Sequence, residues 1–271
     1  MIEVVDIPLN DSKFETKATA VGYFYNIKEV GGNEKRPVVI VCPGGGYKMV
    51  SERETTPIAT QFMASGYHTV ILRYTVGEHT FPSQLVELSK VVLYLREHAV
   101  ALRVDPNQIM IEGCSAGGHL ATSYCELWKD SLIRDYSDIS MEQVELLRPN
   151  GAILSYPAVL FDDFIYYYID KDKYSYYIDR MNLDEYVDED FPRTFVWHTF
   201  DDSIARADNS IELVRSLYAK GIPTEFHMYE FGDHGRSIAK DFVRQPSDTR
   251  DLGNIDTWVE MACKWIKQKN K

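Results

Sequence analysis

The sequence has no long uninterrupted apolar run, and residues 1–6 lack a basic segment followed by an apolar one. A membrane-spanning helix needs about eighteen or more consecutive apolar residues, and a secretory signal needs the basic-then-apolar order. We therefore expect a cytoplasmic protein that does not act on a membrane.

Cysteine is scarce, and its spacing excludes two kinds of stabilising centre. The chain has 4 cysteines among 271 residues, and no two of them form a CxxC pair. Disulfide frameworks and zinc clusters need closely spaced cysteines, so neither is expected. The sequence predicts no metal site and no cofactor.

Basic residues are outnumbered by acidic ones. The chain has 29 Lys and Arg against 41 Asp and Glu, which gives a net charge of −12. Such a surface repels phosphate backbones and anionic lipid headgroups. We expect a small-molecule ligand and no nucleic acid, and the sequence leaves a homodimer open.

The apolar residues that are present form short runs separated by helical patterns. With 45% hydrophobic residues, the chain can bury one large core, and we expect a single domain over residues 1–271. The runs are continuous, which indicates an α/β fold with a mostly parallel sheet of about eight strands and helices on both faces. Strands are predicted at 37–42, 67–74, 109–112, 152–155, 194–198 and 224–229, with antiparallel edge strands at 2–7 and 18–25. Helices are predicted at 52–65, 83–101, 118–127, 209–220 and 255–267.

Residues 156–191 break this alternation. They hold eight tyrosines and ten acidic residues without a sustained period, directly after a predicted strand. Open α/β sheets place their ligand crevice at that end of a strand. The segment is interpreted as an insertion, either a lid whose tyrosines, including Tyr156, stack on a sugar or aromatic acyl group, or an excursion packed onto the domain.

The stretch Gly113-Cys114-Ser115-Ala116-Gly117 lies between a predicted strand and a predicted helix. A serine on a sharp strand-to-helix turn crowds the residues two before and two after it, so both must be nearly free of side chain. The two glycines meet this demand. The pattern predicts a nucleophile elbow with Ser115 as nucleophile, against the alternative of an ordinary glycine-rich loop, and Cys114 is interpreted as a packing thiol.

A serine hydroxyl needs a base within hydrogen-bond reach, and that base needs an orienting carboxylate. In folds with this elbow the acid and then the histidine follow the serine at the ends of later strands. Among seven histidines, His234 lies in a glycine-flanked loop after the last predicted strand and is the predicted base. Asp202, after strand 194–198, is preferred as the acid, with Asp201 as a solvated or capping neighbour.

A glycine-rich stretch, Pro43-Gly44-Gly45-Gly46-Tyr47, follows the predicted strand 37–42. Glycines let the main chain approach a substrate closely and present its N–H groups. We predict an oxyanion hole formed by the N–H groups of Gly45, Gly46 and Ala116. A phosphate-binding loop is the alternative, but the Walker spacing and its Gly-Lys-Ser/Thr ending are absent.

Two further residues near these motifs are predicted to shape the substrate pocket. Tyr47 ends the glycine-rich stretch, and Arg53 follows shortly after it. The guanidinium of Arg53 either contacts a polar substrate or pairs with a neighbouring carboxylate. Both interpretations stay open.

The sequence resembles the α/β-hydrolase serine esterases of the acetylxylan-esterase-like and feruloyl-esterase-like group, which is related to kynurenine formamidase and to hormone-sensitive-lipase type esterases. The resemblance covers most of the chain. It rests on Pro43-Gly44-Gly45-Gly46-Tyr47, Ser51-Glu52-Arg53-Glu54, Leu72-Arg73-Tyr74, Gly113-Cys114-Ser115-Ala116-Gly117-Gly118-His119-Leu120-Ala121, Trp197-His198-Thr199-Phe200-Asp201-Asp202 and Gly232-Asp233-His234-Gly235. In this family the acid lies four residues after the motif histidine and the base precedes a glycine, which implies Asp202 and His234.

The resemblance implies a serine carboxylesterase that acts on small acylated molecules, such as an acetylated sugar or oligosaccharide. Amidases and peptidases of the same fold, including arylformamidases and prolyl-oligopeptidase-like enzymes, share the order of these parts. A protein of a different class is also compatible, because the fold serves as a binding scaffold without catalysis.

Overall fold

Eight strands form one mostly parallel sheet in the computed structural model, which describes residues 1–26, 35–160, 176, 180, 182–244 and 252–268. In chain order the strands are β1 (Ile2–Ile7), β2 (Thr19–Tyr25), β3 (Arg36–Cys42), β4 (His68–Arg73), β5 (Val104–Cys114), β6 (Gly151–Ser155), β7 (Thr194–Thr199) and β8 (Thr224–Tyr229). Their spatial order is β1-β2-β4-β3-β5-β6-β7-β8. The pairs β1–β2 and β2–β4 are antiparallel, and all other neighbours are parallel. The carboxyl ends of β3 and β5 to β8 therefore share one edge.

Helices cover both faces of this sheet. They are α1 (Thr56–Ala64), α2 (Ser83–Glu97), α3 (Ala99–Leu102), α4 (Ala116–Leu127), α5 (Ser131–Ser137), α6 (Asp208–Ala219) and α7 (Trp258–Lys267). Side chains of α1 and α7 pack in one apolar cluster with Val39 and Val41, and side chains of α2, α4 and α6 pack in another with Val38 and Ile40. Consecutive residues of β3 thus enter opposite layers, which is why its sequence is apolar without alternation.

Most predicted elements are confirmed to within one or two residues, and two predicted helices are each interrupted. The predicted helix 52–65 is a 3₁₀ turn, Glu52–Glu54, followed by α1. Pro57 lies in the first turn of α1, where its missing N–H and fixed φ favour the start of a helix over its continuation. The predicted helix 83–101 is divided at His98 into α2 and α3.

Other differences concern elements without a long hydrophobic period. β5 begins at Val104, earlier than predicted, because Val104 pairs with Arg36 before a shift in register. α5 and the 3₁₀ helix Met141–Leu147 were absent from the prediction. Local caps hold both: the Asp130 carboxylate accepts from the Leu132 N–H, and Ser140 forms a capping box with Gln143.

Most of the predicted insertion at 156–191 lies outside the described residues, so its action as a lid stays a prediction. Its described ends pack into the core, where Leu183, Val187 and Phe191 are buried. No helix in the described ranges combines the length and apolarity that crossing a bilayer requires.

Candidate active site

Ser115 lies at the turn between β5 and α4 with φ 54° and ψ −115°. This left-handed conformation is strained for a residue with a side chain. A Cβ on Gly113 would lie 2.3 Å from the carbonyl oxygen of Gly117, and a Cβ on Gly117 would lie 2.0 Å from that of Cys42. The turn can therefore form only with glycine at both flanking positions.

Three residues from separate segments meet at the carboxyl edge of the sheet. Ser115 Oγ lies 2.7 Å from His234 Nε2, and His234 Nδ1 lies 2.7 Å from Asp202 Oδ2. When Nδ1–H donates to the carboxylate, Nε2 is left to accept the proton of the serine hydroxyl. The structure thus brings the predicted nucleophile, base and acid into one hydrogen-bonded chain.

The Asp202 carboxylate is buried and fully hydrogen-bonded. Its Oδ1 accepts from the N–H groups of Ile204 and Ala205, and its Oδ2 also lies 3.3 Å from Nε2 of His198. Burial alone would raise the pKa of Asp202, but the hydrogen bonds from His198 and His234 outweigh it and hold the pKa well below its usual range. Asp202 is therefore a carboxylate whenever the protein is folded near neutral pH.

His198 lies behind the acid and is a further part of the site. Its Nε2–H donates to the Ala205 carbonyl at 2.7 Å and faces Asp202, while Ser210 Oγ lies 2.7 Å from its Nδ1. The buried ring therefore holds the Asp202 turn from behind. In the sequence, the position of His198 four residues before Asp202 is the feature that could indicate this contact.

Asp201 has a different partner from Asp202. Its Oδ1 accepts from the N–H groups of Gly232 and Asp233, which begin the loop that carries His234. Gly232 has φ 154°, and a Cβ there would lie 2.6 Å from the Thr199 side chain. Of the two interpretations of Asp201, the capping one describes these contacts.

The predicted oxyanion donors lie along one cavity beside Ser115. Gly45, Gly46 and Ala116 all line it. Within the described part of the chain, the N–H groups of these three residues donate to no protein acceptor. Gly44 differs, because its N–H donates to Glu54 Oε2 at 2.9 Å. The first main-chain N–H of this loop that is available to the cavity is therefore that of Gly45.

The cavity has a volume of about 730 Å³, which is within the range of small-molecule sites. Ser115 and His234 open onto it, and apolar side chains form much of its wall. The apolar wall residues are Met49, Val50, Ala158, Leu160, Ile204 and Ala205.

Tyr47 and Arg53 both line this cavity, but their polar groups have partners in the protein. The buried Tyr47 hydroxyl is hydrogen-bonded to His119 Nδ1 at 2.9 Å, which connects the glycine-rich loop to the first turn of α4. Arg53 donates to the carbonyl oxygens of Gly235 and Val243 at 2.7 and 2.9 Å. Because Arg53 also lines the cavity, both interpretations, a substrate contact and a pairing with a carboxylate, stay predictions.

The predicted substrate contact of Tyr156 is wrong for this structure. Its side chain is 0% exposed, and Tyr156 does not line the cavity. Its hydroxyl donates to Glu54 Oε1 at 2.6 Å, and its ring packs edge-on against His234 with centroids 5.2 Å apart. The positive φ of 39° at Tyr156 turns the side chain under the site. Tyr156 therefore supports the base from behind.

Cys114 is buried beneath the elbow, as the packing interpretation requires. Its thiol donates to Glu112 Oε1, which also accepts from the Ser155 hydroxyl at 2.9 Å. Burial raises the pKa of the Cys114 thiol well above its usual value, so Cys114 is not a nucleophile at neutral pH. Burial also raises the pKa of Glu112 to about 8.

The raised pKa of Glu112 predicts that the stability of the protein depends on pH. An unfolded glutamate titrates near pH 4.3, so between about pH 4.3 and 8 folding requires proton uptake and stability falls as pH rises, by roughly 1.4 kcal/mol per pH unit. Glu112→Gln mimics the protonated acid and should remove this loss. Thermal unfolding at about pH 4.5 and about pH 8 should show a variant close to wild type at the lower pH and more stable at the higher one. Equal pH slopes in the two proteins would contradict the shifted pKa.

A serine on a strand-to-helix turn, linked to a histidine and an aspartate from later strands of a mostly parallel sheet, defines the α/β-hydrolase class. No group of three or more metal-ligating side chains occurs among the described residues. The family model described as BD-FAE matches residues 27–144.

Similar proteins agree with this class. The solved structure of MGS-M1, an α/β-hydrolase enzyme from a Medee basin deep-sea metagenome library, is 30% identical with a TM-score of 0.77 and covers 98% of this chain and 96% of its own. Endo-1,4-beta-xylanase B of Butyrivibrio fibrisolvens is 30% identical over 76% of this chain and 33% of its own length. Acetylxylan esterase of Xylanibacter ruminicola is 25% identical over 82% of this chain and 45% of its own length.

The chain spans less than half the length of these two curated relatives. It belongs to the α/β-hydrolase family and is similar to esterases of the acetylxylan-esterase type.

Proposed function

We propose that the protein hydrolyses carboxylic esters of small acylated molecules through an acyl-enzyme on Ser115. The observation that carries the proposal is the chain of two 2.7 Å contacts from Ser115 through His234 to Asp202. It lies on the same cavity as the three main-chain donors of the predicted oxyanion hole.

In the first half of the reaction, Ser115 Oγ attacks the ester carbonyl carbon while His234 Nε2 takes the hydroxyl proton. The tetrahedral intermediate collapses, its bond to the alcohol oxygen breaks, and His234 returns the proton to the departing alcohol. In the second half, His234 takes a proton from a water that attacks the acyl carbon. The bond from Ser115 Oγ to that carbon then breaks, His234 returns the proton to Oγ, and the acid leaves. The Asp202 carboxylate stabilises the imidazolium form of His234 in both halves.

Negative charge develops on the carbonyl oxygen in each half. N–H groups of Gly45, Gly46 and Ala116 are the proposed donors to this oxygen, because they line the cavity and donate to no acceptor among the described residues. Loss of one such donor typically costs about 3 to 4 kcal/mol of transition-state stabilisation. The glycine-rich loop is therefore proposed as part of the catalytic apparatus.

We propose an acetylated sugar or oligosaccharide as the substrate class. The names of the two curated relatives, an acetylxylan esterase and a xylanase, support this choice. The volume of the cavity fits a small molecule, with the acetyl carbonyl at Ser115.

Covalent labelling tests the mechanism directly. A fluorophosphonate should add one phosphonyl group to the folded wild-type protein, and peptide mass mapping should locate it on Ser115. Acetate release from acetylated xylo-oligosaccharides and p-nitrophenyl acetate should be abolished in the labelled protein.

Folded protein that stays unlabelled and inactive would favour a binding scaffold over an enzyme. Faster turnover of N-formylkynurenine or dipeptide amides than of esters, with Ser115 still labelled, would move the proposal from esterase to amidase. Labelling at Cys114 would contradict the assigned nucleophile.

A further inference from the structure

Glu54 is a buried carboxylate next to the candidate active site, and the proposed mechanism leaves it without a role. The residue is 3% exposed, and both of its carboxylate oxygens have a defined donor. Oε2 accepts from the Gly44 N–H at 2.9 Å, and Oε1 accepts from the Tyr156 hydroxyl at 2.6 Å. A Cβ on Gly44 would contact both Glu54 Oε2 and the Ser115 Cβ, at 2.8 and 3.0 Å. Glu54 therefore lies close to the nucleophile, and it also lines the cavity.

The Gly44 contact holds the loop of the proposed oxyanion hole. Gly44 precedes Gly45 and Gly46, whose φ angles of 123° and 60° are left-handed. With its N–H fixed by Glu54, Gly44 anchors the start of this turn, and the next two N–H groups remain available to the cavity. The carboxylate thereby selects which donors face a substrate.

The Tyr156 contact reaches the loop of the base. The Tyr156 hydroxyl donates to Glu54 and accepts from the Ser237 N–H at 3.1 Å, and the ring packs edge-on against His234. Ser237 lies three residues after His234. One hydroxyl therefore joins Glu54 to the main chain of the His234 loop.

The neighbouring residue Arg53 reinforces this link. Its guanidinium donates to the Gly235 carbonyl, and its own carbonyl accepts from the Ser237 hydroxyl at 2.5 Å. The short turn that holds Arg53 and Glu54 is thus bonded to two residues that follow His234, Gly235 and Ser237, as well as to Gly44.

We propose that Glu54 is a positioning residue. It holds the glycine-rich loop of the proposed oxyanion hole and the loop of His234 in place relative to Ser115. The inference rests on the proposed function, because it assigns Glu54 to that reaction. Two oxygens on one rigid carboxylate fix the spacing between the Gly44 N–H and the Tyr156 hydroxyl. A shift of about 1 Å between catalytic groups can lower a rate about a hundredfold, so this spacing affects the chemical step.

Glu54→Gln tests the proposal with little change in shape. A glutamine has only one acceptor oxygen. Its NH₂ group must therefore face either the Gly44 N–H or the Tyr156 hydroxyl, and the hydrogen bond that this group donates to Glu54 is lost. We expect kcat for p-nitrophenyl acetate to fall about tenfold to a hundredfold, with KM changed less than about twofold, since the loss is in alignment. The rate of fluorophosphonate labelling should fall in parallel.

Glu87→Gln is the matched control. Glu87 is also a buried carboxylate, and it accepts from one main-chain N–H, that of Thr75, and from the hydroxyls of Thr75 and Thr16. It does not line the cavity. Glu87→Gln should lower the melting temperature while leaving kcat unchanged, which separates positioning from a general loss of stability.

A double-variant cycle with Tyr156→Phe provides the second readout. If both residues act through one chain of contacts, the double variant should lose much less activity than the product of the single losses. Tyr156→Phe alone carries the test if Glu54→Gln does not fold, and it should lower kcat with little change in KM.

Folded Glu54→Gln with wild-type kcat, or an equal loss of kcat in Glu87→Gln, would overturn the inference, as would full additivity in the cycle. Wild-type protein that is neither labelled at Ser115 nor active overturns the proposed function together with it. A labelled, active wild type with an unaffected Glu54→Gln variant overturns the role of Glu54 alone.

Discussion

Replacement of Ser115 by alanine is expected to lower kcat for ester hydrolysis by about 10⁵- to 10⁶-fold, the largest effect that a single substitution in this chain should have. The hydroxyl is the atom that forms the acyl-enzyme, and His234 has no other nucleophile at 2.7 Å to activate. The residual rate would come from water attack assisted by the remaining main-chain donors.

The loss should be chemical and not a loss of folding. Alanine keeps the Cβ at the strained φ of 54°, and the His234 side chain, 17% exposed, can bond to water in place of the hydroxyl. The free energy of unfolding should therefore change by less than about 1 kcal/mol, which chemical denaturation can measure.

Ser123→Ala is the matched control for this substitution. Ser123 lies on the same helix, α4, is buried, and its hydroxyl has no hydrogen-bond partner in the described residues. It should retain wild-type kcat. Ser115→Ala protein with more than about a tenth of the wild-type rate would contradict a serine mechanism, because loss of the nucleophile cannot leave so much activity.

The local geometry of the elbow is predictable from sequence because its steric demands fall on residues two positions away. A Cβ on Gly117 would lie 2.0 Å from the carbonyl oxygen of Cys42, so only glycine fits there. The sequence pattern of the elbow therefore contains this steric requirement. The order of Ser115, Asp202 and His234 follows in the same way, since each residue lies at the turn or loop that follows a strand, and parallel strands end at one edge.

The contacts that support the site are not predictable in this way. Glu54 and Tyr156 are 102 positions apart, and Arg53 and Gly235 are 182 apart. No sequence periodicity relates residues so far apart. A tyrosine that follows a strand is equally compatible with a position in the cavity wall and with a position in the core. The wrong prediction for Tyr156 followed from this, because the ring is buried through its contacts with the distant residues Glu54 and Ser237.

Asp202→Asn is expected to lower kcat by about 10⁴-fold while leaving the site assembled. An asparagine that keeps its oxygen on the N–H groups of Ile204 and Ala205 must turn its NH₂ group towards His234. The histidine Nδ1 then accepts a hydrogen bond, its Nε2 carries the proton, and the ring can no longer take a proton from Ser115. Steady-state kinetics with p-nitrophenyl acetate would measure this loss.

The same substitution one residue earlier provides the comparison. Asp201 accepts from the N–H groups of Gly232 and Asp233 through one oxygen, and an asparagine retains such an oxygen. Asp201→Asn should lose less than about tenfold in kcat. A larger loss in Asp201→Asn than in Asp202→Asn would reverse the assignment of the acid.

The lowered pKa of Asp202 adds a stability measurement with a defined sign. An unfolded aspartate titrates near pH 3.9, and the folded carboxylate titrates at lower pH, so its contribution is fully present above about pH 4 and is lost as pH falls further. The deficit in unfolding free energy of Asp202→Asn relative to wild type should therefore be largest near neutral pH and shrink below about pH 4. A deficit that is constant from pH 7 to pH 3 would mean that the Asp202 carboxylate gains nothing from its partners, His234 and His198, and the tautomer argument would lose its basis.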